Sequence, residues 1–286
     1  MWGPAKVAAL IGLLALLALP SGATGTVTIG SDLARAPTVA NSCGPSCTVA
    51  TSSLPTADRA AGGLVSPVNG TVTMWRVRVG ASTSQTTFRV IKLLSTGGLA
   101  SGGGSSSMVT PPVNTTTAFP TQLPIGTGDT VGIDCCSSAG SQILASTPQA
   151  ISDLWNPRLV DGAPGHLPLS MLAYEVPVNA DIEPTSAFTI SEVKAGKGGK
   201  ETLTVTLPNA GTLEGIAAGK KKKRYEQHAT ILAAVANQTI RLLVRPTKLA
   251  RTLLQEKDKL KARLNVTFTP TGGSPSTQTI KVKLKR

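Results

Sequence analysis

Aromatic residues are scarce in this chain, with 3 Trp, 2 Tyr and 4 Phe among 286 residues. So few rings leave almost nothing on which single-stranded nucleic acid could stack. Histidine is scarcer still: His166 and His228 have no second His at metal-binding spacing, which excludes a zinc-protease helix. No G-x-S-x-G elbow occurs, so the common serine-hydrolase turn is missing. Gly126-Thr127-Gly128 and Gly102-Gly103-Gly104 are not followed by G-K-[ST], so neither reads as a phosphate loop. There is no EF-hand-like loop either. After the first 23 residues no apolar stretch approaches the length of a membrane-spanning helix.

What is present begins with a leader. Lys6 supplies a basic start, residues 7–19 are apolar, Pro20 ends the run, and Ser21-Gly22-Ala23 offers small residues for cleavage. The apolar run is shorter than a spanning helix, so residues 1–23 read as a signal peptide and the protein as secreted or cell-surface. Four cysteines then read as disulfides. Cys43 and Cys47 flank a turn-forming Gly44-Pro45, so Cys43–Cys47 and Cys135–Cys136 is the pairing that local geometry favours. Cross-pairing of the two groups across a sheet is the alternative. No His lies near either pair, and neither a metal nor a cofactor is expected.

Charge divides the chain at Glu183-Pro184-Thr185-Ser186. Residues 186–286 hold 20 Lys and Arg against 6 Asp and Glu, +14 net, whereas residues 1–185 hold 8 against 9, −1 net. The step predicts two modules: residues 24–183 and 188–286, joined by a linker at 184–187.

Both halves read as β-structure, rich in Gly, Pro, Ser and Thr and broken by turns every few residues. In the first half, Gly70–Val79 alternates, with a phase slip at Trp75-Arg76 that predicts a bulge. Residues 87–94 and 130–134 are further strands, 167–176 is the last, and the Gly/Ser-rich stretch 95–107 reads as a hairpin loop. In the second half, 188–193, 201–207, 212–216, 238–244, 263–268 and 279–284 alternate cleanly, and Thr247 is placed to cap a helix over 248–260.

The order of these motifs is similar to that of uncharacterised secreted proteins of actinobacteria. The resemblance rests on the CxxxC, on Ser66-Pro67-Val68-Asn69-Gly70-Thr71-Val72 leading to Trp75-Arg76-Val77-Arg78, and on Gly128-Asp129-Thr130-Val131-Gly132-Ile133. It rests also on Phe188-Thr189-Ile190 and Val266-Thr267-Phe268-Thr269-Pro270-Thr271-Gly272-Gly273 within the Lys-rich tail. It implies an all-β protein of two β-sandwiches, the first jelly-roll-like and the second immunoglobulin-like with one short helix. It transfers no catalytic residue.

The expected role is that of a non-catalytic binding or cell-envelope-associated protein. Lys220-Lys221-Lys222-Lys223-Arg224 is the densest cationic run and the candidate contact for an anionic cell-wall polymer or glycan. A solvated hairpin tip explains the same run, and no specific nucleic acid is expected. In the first module, Trp155 in a loop, with Tyr174, Asp129 and Asp134, are the candidate ligand-binding residues. Two alternatives stand: a secreted hydrolase using Asp129, Asp134 or His166 on polysaccharide or ester, and a spacer without ligand. N-x-[ST] sequons begin at Asn69, Asn114, Asn237 and Asn265.

Overall fold

A computed structural model describes residues 25–41, 46–94, 98–135, 140–218, 225 and 229–286. The leader, Cys43, Cys136, the run Lys220–Arg224 and His228 lie outside the described residues. The architecture is all-β, two β-sandwiches in series, as expected.

The first sandwich contains β1 (Val27–Gly30), β2 (Val39–Asn41), β3 (Cys47–Ser53), β4 (Gly70–Arg78), β5 (Thr87–Leu93) and β6 (Ala100–Ser105). It continues with β7 (Thr116–Ile125), β8 (Thr130–Cys135), β9 (Ser141–Leu144), β10 (Ile151–Trp155), β11 (Ser170–Leu172) and β12 (Val178–Pro184). A four-stranded antiparallel sheet, β1-β12-β4-β7, faces a six-stranded one, β11-β10-β3-β8-β5-β6, with β2 and β9 paired beside them.

Alternation dictates the core. Val72, Trp75, Val77, Ala180 and Ile182 project inward from one sheet, and Val49, Phe88, Val90, Val131, Ile133 and Leu154 from the other. Trp75 stacks on Phe88 across the gap with ring centroids 5.3 Å apart, and on Phe119 at 4.8 Å. This pairing anchors the two sheets through aromatic area.

The second sandwich contains β13 (Thr189–Ala195), β14 (Glu201–Leu207), β15 (Gly211–Ala218), β16 (Ala229–Ala233), β17 (Gln238–Val244), the helix α1 (Lys248–Lys257), β18 (Lys259–Pro270) and β19 (Ser276–Lys285). Its sheets are β13-β14-β17 and β16-β15-β18-β19, a seven-stranded immunoglobulin-like arrangement. Leu203, Val205 and Leu207 meet Leu213, Leu264, Val266 and Phe268 in a core that shares no residue with the first. Thr247 caps α1 as the sequence predicts, its Oγ1 accepting from Ala250 N at 3.2 Å. The helix ends at Lys257, three residues short of the expected Leu260, and its cap Asp258 takes the left-handed conformation at φ 55°.

The sandwiches are joined by carboxamides rather than by a shared core. Asn209, fully buried, donates from Nδ2 to the carbonyls of Asn69 (2.9 Å) and Thr185 (2.8 Å) and accepts from Asn69 N at 2.7 Å. Asn69 returns a bond from Nδ2 to Pro208 O at 2.7 Å and another to Asn237 Oδ1 at 3.2 Å. That carboxamide is therefore engaged in the joint and is a poor glycan acceptor. The β18–β19 turn also packs here: a Cβ on Gly273 would lie 3.2 Å from Pro184, and one on Gly25 would lie 2.9 Å from Gly272. The turn end of that hairpin thus abuts the first sandwich, and its open end points away.

Three expectations for the first sandwich are corrected. The bulge lies at Thr73, which has no partner on β12 between Val72 and Met74, not at Trp75-Arg76; Trp75 keeps phase with Val77 and Met74 is turned out of the core. The Gly-rich stretch is not all loop: Ala100–Ser105 is the edge strand β6. Glycine is required there because a Cβ on Gly102 would lie 2.6 Å from the carbonyl carbon of Val160, whose segment crosses the sheet. The last strand is β12, Val178–Pro184, following the short β11 within the expected 167–176.

Candidate functional site

The register of β18 and β19 creates the molecule's most unusual surface. Lys259 lies directly opposite Lys285, Lys261 opposite Lys283, and Arg263 opposite Lys281. All six are exposed, and the intervening Leu260, Ala262, Leu264, Val282 and Leu284 are buried. Strand alternation therefore puts six cations on one face. Successive rungs stand about 6.8 Å apart and the members of a rung about 5 Å apart.

Like charges placed directly opposite one another destabilise a sheet. Among the described residues none of the six forms an ion pair. Lys285 feels the carboxylate of Glu201, which burial pushes above its ordinary range in spite of that cation. The other sheet adds Arg241 and Arg245, which line an open cleft with Thr230 and Ile231 between β16 and β17. The contiguous run Lys220–Arg224 lies outside the described residues.

The charges of the first sandwich are arranged in the opposite way. Arg89, 4% exposed, projects from the outward face of β5 and holds Asp134 with both Nε, at 2.7 Å, and Nη2. Thr48 Oγ1 donates to the same carboxylate at 2.6 Å. The remaining Nη1 binds Asp161, which also accepts from Ser105 Oγ at 2.9 Å. This network ties β3, β5 and β8 to the crossing segment 156–167. On the opposite sheet Arg76 forks onto Asp181 at 3.0 and 2.6 Å, and this pairing holds the Asp181 carboxyl below its usual range.

The candidate ligand-binding and catalytic residues of the first sandwich each have a place. Asp134 is buried in the Arg89 network, so its oxygens are already occupied. Asp129 accepts from Gly126 N at 2.7 Å in the turn before β8; burial raises its pKa against that bond and the Lys92 charge. Tyr174 packs against the core from its edge. Trp155 is not a loop residue: it ends β10 and is 2% exposed, so neither face of its ring is open for stacking. His166 is half-buried beside the β6 edge, with Nδ1 3.1 Å from Leu167 O. No group of three or more His, Cys, Asp or Glu could hold a metal among the described residues.

Cys47 and Cys135 face each other across β3 and β8, and neither is a free thiol. The choice between local and crossed pairing rests on Cys43 and Cys136, outside the described residues.

Contiguous charge such as Lys220–Arg224 stands out in the sequence, and the ladder is not contiguous. Its signal is the alternation Lys259-Leu260-Lys261-Ala262-Arg263 and Lys281-Val282-Lys283-Leu284-Lys285, which becomes a patch only once the register is known.

No protein-family model matches the chain, and no curated protein matches it. Among solved structures it is faintly similar to a glycosyl hydrolase family 2 member from Bacteroides cellulosilyticus, with a TM-score of 0.23 and 7% identity over 75% of this chain and 25% of that one. It is as faintly similar to a GH2 beta-galacturonidase from Eisenbergiella tayi bound to galacturonate, with a TM-score of 0.23 and 12% identity over 91% of this chain and 44% of that one. The chain spans less than half of either protein, and likenesses this faint carry no argument about activity.

Proposed function

We propose that the protein is a secreted, non-catalytic component of the cell envelope whose second sandwich binds an anionic envelope polymer through the β18–β19 face. The six-cation ladder carries this reading. Protection of an edge strand explains lysines on β19, but not Lys259, Lys261 and Arg263 on the inner strand β18. A row of phosphates or carboxylates laid along the hairpin would relieve all three repulsive rungs at once. Each Lys or Arg near an anionic surface contributes about 1 kcal/mol, so six together hold a polymer without reading its sequence. The ladder occupies the open end of the hairpin, while the turn end packs near Pro184. A bound polymer therefore leaves the first sandwich projecting outward, free for recognition.

The test is retention of the secreted chain on isolated cell wall, before and after the teichoic acid is stripped. Retention is expected to fall steeply as salt rises, to fall with stripping, and to weaken about thirtyfold or more when Lys261 and Lys283 are both changed to Glu. Binding indifferent to salt and to both substitutions rules the reading out.

A further inference from the structure

The second sandwich has an open side that the polymer reading does not use. β17 is the last strand of one sheet and β16 the last strand of the other, each with a neighbour on one edge only. The two converge at the 234–237 turn that joins them, and beyond it a cleft of about 350 Å³ lies between their free edges. Near its far end the Tyr225 carbonyl accepts from Thr247 N at 2.8 Å. β15 stands between β16 and the cationic ladder, so the cleft and the ladder are separate surfaces.

The cleft has an apolar floor and a cationic rim. Leu242, fully buried, and Ile231, half-buried, belong to the core of this sandwich and also line the cleft. Strand alternation turns Arg241, Leu243 and Arg245 the other way, and all three are exposed. The two arginines stand about 14 Å apart with Leu243 between them. Among the described residues neither forms an ion pair, and none that lines the cleft is acidic.

Edge protection does not account for this pattern. A strand guarded against pairing is short, bulged or charged along its length. β17 pairs with β14 over seven residues without a shift of register, and the residue between its two arginines is a leucine. Across the cleft, Leu232 on β16 is 75% exposed. Alternate residues of β17 thus turn backbone N–H and C=O groups toward the cleft, where they have no strand partner among the described residues.

We propose that this edge takes an extended acidic peptide of another protein as an added antiparallel β-strand. Backbone bonds to β17 supply affinity, and the side chains opposite Arg241, Leu243 and Arg245 supply the choice. Register fixes what they must be: an acid, an apolar residue and a second acid at every other position. The residues between them face the same way as Leu242 and Val244, so they too are apolar. The recognised pattern is five residues long, three apolar residues flanked by acids. An anionic polysaccharide brings the charge but no row of N–H and C=O groups at strand period, and the apolar floor gives it nothing. A basic peptide can pair with the edge only by setting its cations against the arginines.

The experiment uses the secreted chain labelled with ¹⁵N, titrated with a capped heptapeptide T-E-V-L-V-E-T. The peptide is expected to shift the amide resonances of Arg241–Val244 saturably below about 1 mM. Its counterpart with lysine for both glutamates should bind about tenfold or more weakly. Two further versions, N-methylated at odd or at even positions, should differ: only the one whose blocked amides face β17 loses binding. Arg241→Glu with Arg245→Glu should reverse the preference between acidic and basic peptides; both positions are exposed, and such substitutions leave a fold intact. Lys261→Glu with Lys283→Glu should leave the affinity within about twofold, which separates this site from the polymer face. No shift, shifts confined to β16 or to β18–β19, equal behaviour of the two methylated versions, or a soluble polyuronate binding β17 as tightly as the peptide overturns the assignment. The comparison of methylated peptides on the wild-type chain decides even if the arginine variant fails to fold.

Discussion

The two sandwiches handle charge in opposite ways. In the first, arginines are fasteners: Arg76 grips Asp181 on the neighbouring strand, Arg89 grips Asp134 and Asp161, all far away in sequence, and Arg89 is almost completely buried. In the second, cations stand in opposed rows and, among the described residues, none of the six is held in an ion pair. One module has used its charges internally, and the other has kept them for something outside itself. The contrast separates charge that serves the fold from charge that the fold merely tolerates.

The largest effect should come from breaking the fastener. Arg89→Ala leaves Asp134 buried without its cation, and loss of one partner of a buried pair costs about 3–5 kcal/mol. The first sandwich should lose that much in denaturant unfolding. Replacing both partners, Arg89→Met with Asp134→Leu, should recover much of it, because the stranded charge is gone. Lys261→Ala in the second sandwich should change stability by less than about 0.5 kcal/mol. An Arg89→Ala chain as stable as the parent would erase the distinction between the modules.

A smaller effect follows from carboxyls that burial disfavours. Glu175 is fully buried and accepts from the hydroxyls of Ser31 and, at 2.5 Å, Thr147; burial raises its pKa above the ordinary 4.5, and Asp32 and Asp58 add to the rise. Below about pH 4.5 the folded and unfolded chains both hold the proton. As pH climbs past that value the unfolded chain releases it first, so the folded state loses stability until its own, higher pKa is passed. Asp181 runs the other way: held low by Arg76, it lends stability above its ordinary 3.8 that is lost as pH falls through its folded value. Glu175→Gln should therefore flatten the loss of stability on the rise from pH 4.5 toward neutrality. Asp181→Asn should instead flatten the loss at the acid end. Unfolding midpoints measured across pH 3–7 distinguish the two slopes, and an unchanged profile in Glu175→Gln contradicts the burial argument.

The second sandwich was the more legible in sequence, for a physical reason. Its strands are half-buried, so Glu201–Leu207 and Lys259–Pro270 alternate as a one-sided sheet must. Thr247 announced the helix through its cap. The first sandwich is covered on more than one face, and there alternation fails. β8 is buried at every position, β6 is built of Gly and Ser, and Trp155 is roofed by a segment that only the folded chain brings across it. β16, Ala229–Ala233, was missed because its signal is weak and adjoins the basic run. Of the candidate sites, Trp155 was found by residue type but assigned the wrong environment. Nothing local in the sequence marks which carboxylates, Asp134 among them, will be paired.

The smallest expected effect tests the contrast most directly. Lys283 lies opposite Lys261 on exposed faces of β19 and β18. Lys283→Glu turns a repulsive rung into an attractive one, and a favourable cross-strand pair contributes about 0.2–1 kcal/mol. The chain should become slightly more stable while its retention on anionic polymer weakens by about thirtyfold, two charge units, about 2 kcal/mol, having been lost from the patch. Stability and binding would then move in opposite directions under one substitution. That is the signature of charges retained against the interest of the fold. If retention were untouched while stability rose, the ladder would be an incidental row of solvated lysines, and the two sandwiches would differ only in how much charge they carry.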